Sequence, residues 1–280
     1  MTALESLAIT IAVAAGVFGL LIGSFLNVVI YRVPNGMSLV RPASACPKCG
    51  HAIRGYDNVP VLSWLLLRGK CRNCKTGISS RYPLVEAGTA IFFAVVGAYI
   101  IASANLSTAP TTIASTLVLI AFLYLVAITV ALALIDIDVK RLPDAIVLPG
   151  YLVGAVLFLA ASILGGSWDA LIRAGIGMAG LAALYFILMF IRPDAMGFGD
   201  IKLAGVLGLF LGWSGWGSLL IGAFAAFVLG GVYGIILILA HRAKGKSGIP
   251  FGPWMLAGAW VGIFFGNQIW GAYLALLGNS

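Results

Sequence analysis

The sequence predicts an all-α polytopic membrane protein of about eight spanning helices carrying one small polar loop domain. Three observations predict it. Hydrophobic residues make up 61% of the 280 positions, charged residues only 9%, and the mean hydropathy is +1.08. Soluble domains carry about 25% charged residues, so a soluble core of this composition would lack the groups to cover its surface. Apolar runs of about 20 residues, the length that crosses a bilayer, recur from end to end. The 17 Lys and Arg outnumber the 9 Asp and Glu, for a net charge of +8. They gather on alternating connections, as expected if basic residues stay on the cytoplasmic side. No basic stripe interleaved with aromatics lies on a soluble segment, so no nucleic-acid partner is expected.

The first span is drawn at 8–31. A cleavable signal peptide is not expected, because residues 1–10 lack a basic n-region, carry Glu5, and lead into an apolar run that continues to Ile30. This run ends in Gly23-Ser24-Phe25-Leu26-Asn27-Val28-Val29-Ile30-Tyr31-Arg32-Val33-Pro34. Asn27 sits within apolar sequence, where its amide needs a partner in the bundle. Interhelical bonding is the plainer reading, and a substrate contact is the alternative. Residues 33–82 form the one sizeable polar segment, with Arg41, Lys48, Arg54, Arg68, Lys70, Arg72, Lys75 and Arg81 against the single acid Asp57. The charge bias makes this loop cytoplasmic and puts the N-terminus outside. Later spans are drawn at 84–104, 112–136, 145–164, 171–191, 200–214, 217–240 and 255–277. An even number of spans returns the C-terminus to the outside. Lys140, Arg141, Arg192, Lys202, Arg242, Lys244 and Lys246 then fall inside, and of the 17 basic residues only Arg173 lands near the outer face. The chain divides into a first helix (1–32), a loop domain (33–83) and a seven-helix membrane domain (84–280). The span at 200–214 is short and glycine-rich, and is expected to be tilted, kinked or only partly crossing. Gly150, Gly154, Gly230 and Gly234 recur at four-residue spacing, which close helix packing explains better than a ligand site.

A loop of this size is too small for a large core, and a metal staple would help it fold. All four cysteines lie in it, as Cys46-Pro47-Lys48-Cys49 and Cys71-Arg72-Asn73-Cys74, two C-x-x-C pairs separated by 21 residues. Four thiolates on two tight turns make a closed tetrahedral structural zinc site, one ion per chain. A reducing cytosol argues against disulfides, and the duplicated pair argues against a thioredoxin-like motif. His51 adjoins the cluster but finds the coordination shell already filled.

The chemistry-bearing stretch is Met196-Gly197-Phe198-Gly199-Asp200-Ile201-Lys202-Leu203. Gly197 and Gly199 free the backbone of an active-site loop, and Asp200 stands where an apolar run begins. An ionisable residue at a membrane boundary is presumed functional, although an Asp also caps helices well. A catalytic Asp200 needs a partner. Glu5 and Asp169 lie on the outer side and Asp57 lies in the cysteine loop. Glu86 opens the second span, where an acid is routine. Asp194 follows Pro193 in a short turn, and Asp144 follows Pro143 as the cap of the fourth span. Asp136, in Leu134-Ile135-Asp136-Ile137-Asp138, remains. Asp138 lies about 200° further round the helix and faces away. Two carboxylates on different spans at one membrane edge suit aspartic-protease chemistry, sharing one proton so that one activates water while the other donates. Their titration belongs to the pair rather than to either residue.

The ordered set of motifs resembles the type IV prepilin peptidase family, membrane aspartic proteases of the G-x-G-D class. It comprises Gly23–Pro34, the two C-x-x-C pairs, Asn58-Val59-Pro60-Val61-Leu62-Ser63-Trp64 and Tyr82–Glu86, then Ile135-Asp136 through Leu142-Pro143-Asp144, Gly197–Lys202 and Pro250-Phe251-Gly252-Pro253. The resemblance implies an enzyme of the bacterial inner membrane that cuts the leader from type IV prepilins and type II secretion pseudopilins at the cytoplasmic face. It further implies methylation of the new N-terminus with S-adenosylmethionine, linked to the large loop. The family's catalytic aspartates fall on Asp136 and Asp200, and its zinc ligands on Cys46, Cys49, Cys71 and Cys74. No loop motif reads by itself as an S-adenosylmethionine site. Because prepilin leaders are basic, the basic cytoplasmic face cannot recruit them electrostatically; it serves topology and contact with membrane lipid. Two other classes use the same residues differently. A proton-coupled transporter would place its carboxylates near the midplane on broken helices, and a non-catalytic zinc-stapled scaffold would leave the paired aspartates unexplained.

Overall fold

The computed structural model describes residues 3–192, 196–240 and 250–278. Its helices are α1 (Ala3–Arg32), α2 (Leu62–Leu66), α3 (Arg81–Ala102), α4 (Ala109–Val139), α5 (Asp144–Gly165), α6 (Trp168–Ile191), α7 (Phe198–Ser214), α8 (Trp216–Leu239) and α9 (Gly252–Leu276). Among the described residues, strand-like pairing is confined to the isolated bridges Ala45–Ala52 and Lys70–Gly77. Every expected span is helical, with ends displaced by a few residues. Among the described residues, six helices are long and apolar enough to cross a membrane: α1, α3, α4, α5, α6 and α8. Of the helices at expected spans, two fall outside this set: α7, of 17 residues, and α9, which carries Asn267 and Gln268. Asp194, Arg242, Lys244 and Lys246 lie outside the described residues.

The helix ends follow local chemistry. At the start of α4, Thr108 and Thr111 satisfy each other's backbone N–H groups across a capping box, and a proline occupies the first turn, where no N–H is needed. The helix ends on Lys140, whose left-handed backbone (φ 51°) returns its N–H to the Asp136 carbonyl. Pro143, not Asp144, is the N-cap of α5, which corrects the expectation for Asp144. Asp144 is the first-turn acid, and it pairs with Lys202 at 2.7 Å.

The chain forms two compact units, Met1–Asn105 with Phe122–Ala131, and Leu106–Ala121 with Leu132–Ser280. In the first, α1 packs along α3. A Cβ on Gly19 would meet Phe93 Cβ at 2.8 Å, and one on Gly23 would meet Glu86 Cα at 2.7 Å, so glycine permits the close approach. Asn27 donates to the Tyr82 carbonyl at 3.2 Å, the interhelical bond expected of it. Buried Arg32 donates to the carbonyls of Ser38 (2.9 Å) and Pro42 (2.7 Å), folding the polar loop back onto its helix.

In the second unit α7 is the central helix, packed against α5, α6, α8 and α9. Its residues from Leu203 to Gly212 are all buried. It is one continuous helix, and its glycines serve close packing. A Cβ on Gly208 would collide with the Gly177 backbone, and one on Gly212 would lie 2.8 Å from Ala174 Cα. Gly154 and Gly230 likewise face Leu209 (2.7 Å) and Phe251 (2.8 Å). Arg173, the one base expected near the outer face, donates to the carbonyls of Gly212 (2.6 Å) and Trp213 (3.0 Å). It thereby satisfies the C-terminal carbonyls that α7 leaves unpaired.

Candidate functional site

Asp136 lies in the last turn of α4. Its flank, Leu132 and Ile135, is fully buried, while Ile137 and Asp138 are exposed, so the helix turns one carboxylate inward and the next outward, as expected. Asp136 is only 6% exposed, and its Oδ2 accepts the Gly252 backbone N–H at 3.0 Å. That donor stands in the first turn of α9, where a helix leaves N–H groups unpaired. A Cβ on Gly252 would lie 2.7 Å from Asp136 Oδ2, so only glycine lets the backbone approach the carboxylate in this way.

Asp200 is the third residue of α7. Gly197 is the N-cap, and its N–H donates to Asp200 Oδ2 at 2.9 Å. The side chain thus caps its own helix as the sequence allows, while its charge is close enough to that of Asp136 to interact with it. Leu142 sits against Gly199, which precedes Asp200, and against Gly252, which supports Asp136. A Cβ on Gly199 would meet Leu142 Cβ at 3.1 Å, and one on Gly252 would meet its Cδ2 at 3.2 Å. Tyr151 Oη donates to the Lys202 carbonyl at 2.6 Å, pinning the first turn of α7 to α5. Lys202 pairs with exposed Asp144 and lies 5.8 Å over the Phe198 ring. Buried Tyr185 is within electrostatic reach of Asp200, and its ring packs on Phe251 at 6.3 Å, next to Gly252.

The four cysteines occupy two equivalent turns in the first unit. The Cys46 and Cys71 N–H groups donate to the carbonyls of His51 (3.0 Å) and Thr76 (2.8 Å). The residue before each of those acceptors is left-handed, Gly50 at φ 68° and Lys75 at φ 57°. All four Sγ atoms lie within 4.8 Å of one another. The N–H groups of Cys49 and Lys48 lower the Cys46 thiol to about 6. For Cys49 the His51 N–H favours the thiolate, but burial and the neighbouring thiols outweigh it and raise the group to about 11. Thiols packed this closely cannot all ionise without a cation, and their convergence fits a tetrahedral metal. His51 is exposed and outside the cluster. Beside it, Arg72 forks onto Asp57 with bonds of 2.6, 2.8 and 3.0 Å, and holds that carboxyl below its usual value.

Comparison with known proteins decides what this geometry belongs to. Residues 17–100 match the model of the bacterial peptidase A24 N-terminal domain, and residues 123–235 match that of the type IV leader peptidase family. The chain belongs to the type IV leader peptidase family. Proteins named prepilin leader peptidase/N-methyltransferase are similar to it over most of this chain. The one from Pseudomonas putida is 36% identical, with 94% of each chain covered. That from Stutzerimonas stutzeri is 34% identical, with 98% of each covered. A relative from Myxococcus xanthus is 40% identical over 84% of this chain and 65% of its own. No solved structure matches the chain. For this leader peptidase, sequence reasoning did not single out Tyr185, and it assigned no role to Gly252 or Leu142, although both stood in its motifs. The Pro250–Pro253 motif was visible as a resemblance, but only the fold brings its second glycine to Asp136.

Proposed function

We propose that this protein is a membrane aspartic endopeptidase that removes the leader of type IV prepilins and type II secretion pseudopilins, with Asp136 and Asp200 as its catalytic pair. It also N-methylates the residue that cleavage exposes. The observation that carries the reading is a buried and a half-buried carboxylate from α4 and α7, within electrostatic reach of one another and each held by a glycine N–H, in a chain of the leader peptidase family. Two such acids share one proton. The ionised one takes a proton from water as its oxygen attacks the scissile carbonyl, and the protonated one donates to the carbonyl oxygen. Collapse of the tetrahedral adduct breaks the C–N bond, with the proton passing to the leaving amine. Gly197 and Gly199, expected in a loop, instead form the N-cap and the first turn of α7, where the Gly197 N–H orients Asp200 and Gly199 leaves room for Leu142.

The membrane in question is the bacterial inner membrane, with both termini outside and the loop domain and aspartates at the cytoplasmic face. The peptidase resides in 84–280 and methylation is linked to 33–83. Cys46, Cys49, Cys71 and Cys74 would hold one structural zinc, which when bound crosslinks the two turns of the loop domain. S-adenosylmethionine is the donor that the family resemblance implies, and no residue of the chain is assigned to it. A transporter reading is disfavoured by position, since Asp136 stands in the last turn of its helix and Asp200 in the first turn of its own. The test is cleavage of a purified prepilin read by mass spectrometry. Asp136→Asn and Asp200→Asn should abolish leader removal, and Asp138→Asn should leave it intact. Full cleavage by either of the first two variants would refute the assignment.

A further inference from the structure

The short helix α2 carries its apolar side outward. Ser63 is buried and bonded twice, accepting from Val59 N–H at 3.1 Å and donating to the Tyr56 carbonyl at 3.1 Å. Trp64 donates to the Ile78 carbonyl at 3.1 Å and packs on Gly69. Leu62, Leu65 and Leu66 face away, at 52%, 57% and 73% exposure. A loop domain surrounded by water would place these sides the other way round.

The anchor of α2 shows what covers the leucines. Val61 is held in the left-handed region (φ 60°), and its N–H donates to Glu86 Oε2 at 2.7 Å. Glu86, expected from the sequence to be an ordinary helix-start acid, is instead buried at 8% exposure beneath Gly23 of α1. It is the sixth residue of α3, a span of 22 residues. At 1.5 Å per residue that helix is about 33 Å long, close to the roughly 30 Å hydrocarbon core, and Glu86 lies about 7 Å inward from its first residue. A segment bonded to Glu86 is therefore held just inside the headgroup–acyl boundary, about 6 Å within the hydrocarbon edge. At the same end of the α1–α3 pair, exposed Tyr31 and Tyr82 supply the aromatic side chains that favour this zone. Arg68 and Lys70, both exposed, follow α2 within four residues and place cations where lipid phosphates lie.

We propose that α2 is an interfacial membrane anchor, with Leu62, Leu65 and Leu66 inserted among the outer acyl chains and Glu86 fixing its depth. The loop domain is then not a free appendage. It is held against the bilayer at the end of α1 and α3, and this holds whether or not the peptidase assignment does.

The test is photo-crosslinking of the full chain in phospholipid nanodiscs containing anionic lipid, with p-benzoyl-L-phenylalanine placed at Leu66 and separately at Leu62. Hydrogen exchange across residues 46–76 matching that of the unsubstituted chain shows that the loop domain is folded, and the second position stands in if the first fails this check. The expected result is phospholipid adduct as the main product at both positions, unchanged when prepilin is added. Adducts within the chain itself, adducts to prepilin in place of lipid, or no adduct would each overturn the proposal.

Discussion

At the scale of single residues, the site depends on how close a backbone comes to a carboxylate. Gly252 contributes an N–H and no side chain, so Asp136 is oriented by a rigid donor at a helix start. The Gly252→Ala variant places a methyl group where Asp136 Oδ2 and Leu142 Cδ2 now sit. We expect it to fold and insert normally while losing about 100-fold in leader cleavage, the cost typical of displacing a catalytic group by about 1 Å. Side-by-side thermal unfolding and cleavage assays would check it. The Asp57–Arg72 pair makes a different prediction, about pH. Arg72 holds the Asp57 carboxyl below its ordinary 3.8, so the stabilisation is complete above that value and fades as pH falls through the lower folded-state value. Asp57→Asn should abolish this acid-side loss in the loop domain and leave the neutral range flat. Hydrogen exchange measured across pH on residues 33–82 would detect it.

At the scale of elements, the sequence showed where helices lie better than it showed why. Apolar runs located all of the long helices because membrane burial imposes length and composition locally. The glycines of α7 gave the right residues with a different meaning. They permit backbone contact with α6, which no periodicity within α7 can reveal. Gly208→Ala would force Gly177 and Met178 away, an overpacking cost of about 1–3 kcal/mol. It should lower the unfolding temperature and also reduce cleavage, because α7 carries Asp200 in its first turn. Metal removal belongs to the same scale. Elemental analysis should find about one zinc per chain, and a thiol-competing chelator should unfold the two cysteine turns, since a site of this kind contributes its binding energy to folding. A metal-free protein with native hydrogen exchange in residues 46–76 would contradict the assignment.

At the scale of the whole molecule, the proposed function rests on residues far apart in sequence. Asp136 and Asp200 could be paired by elimination because acids are few in this chain and each other candidate had a plainer role. Glu86 shows the limit of that reasoning. In sequence it was an ordinary helix-start acid, yet the fold uses it to hold α2. Asp144 likewise read as a cap and is in fact an ion-pair partner of Lys202. Both depend on contacts that local pattern does not encode. The central claim is that α4 and α7 deliver two carboxylates that act as one unit. Its most direct measurement is single-turnover cleavage of a prepilin by the purified protein and by Asp136→Asn, Asp200→Asn and the double variant. Each single change is expected to cost about 10⁴-fold or more, and the double change no more than the worse single one, as for residues that work together. Substantial cleavage by either single variant, or losses that simply multiply in the double variant, would contradict it.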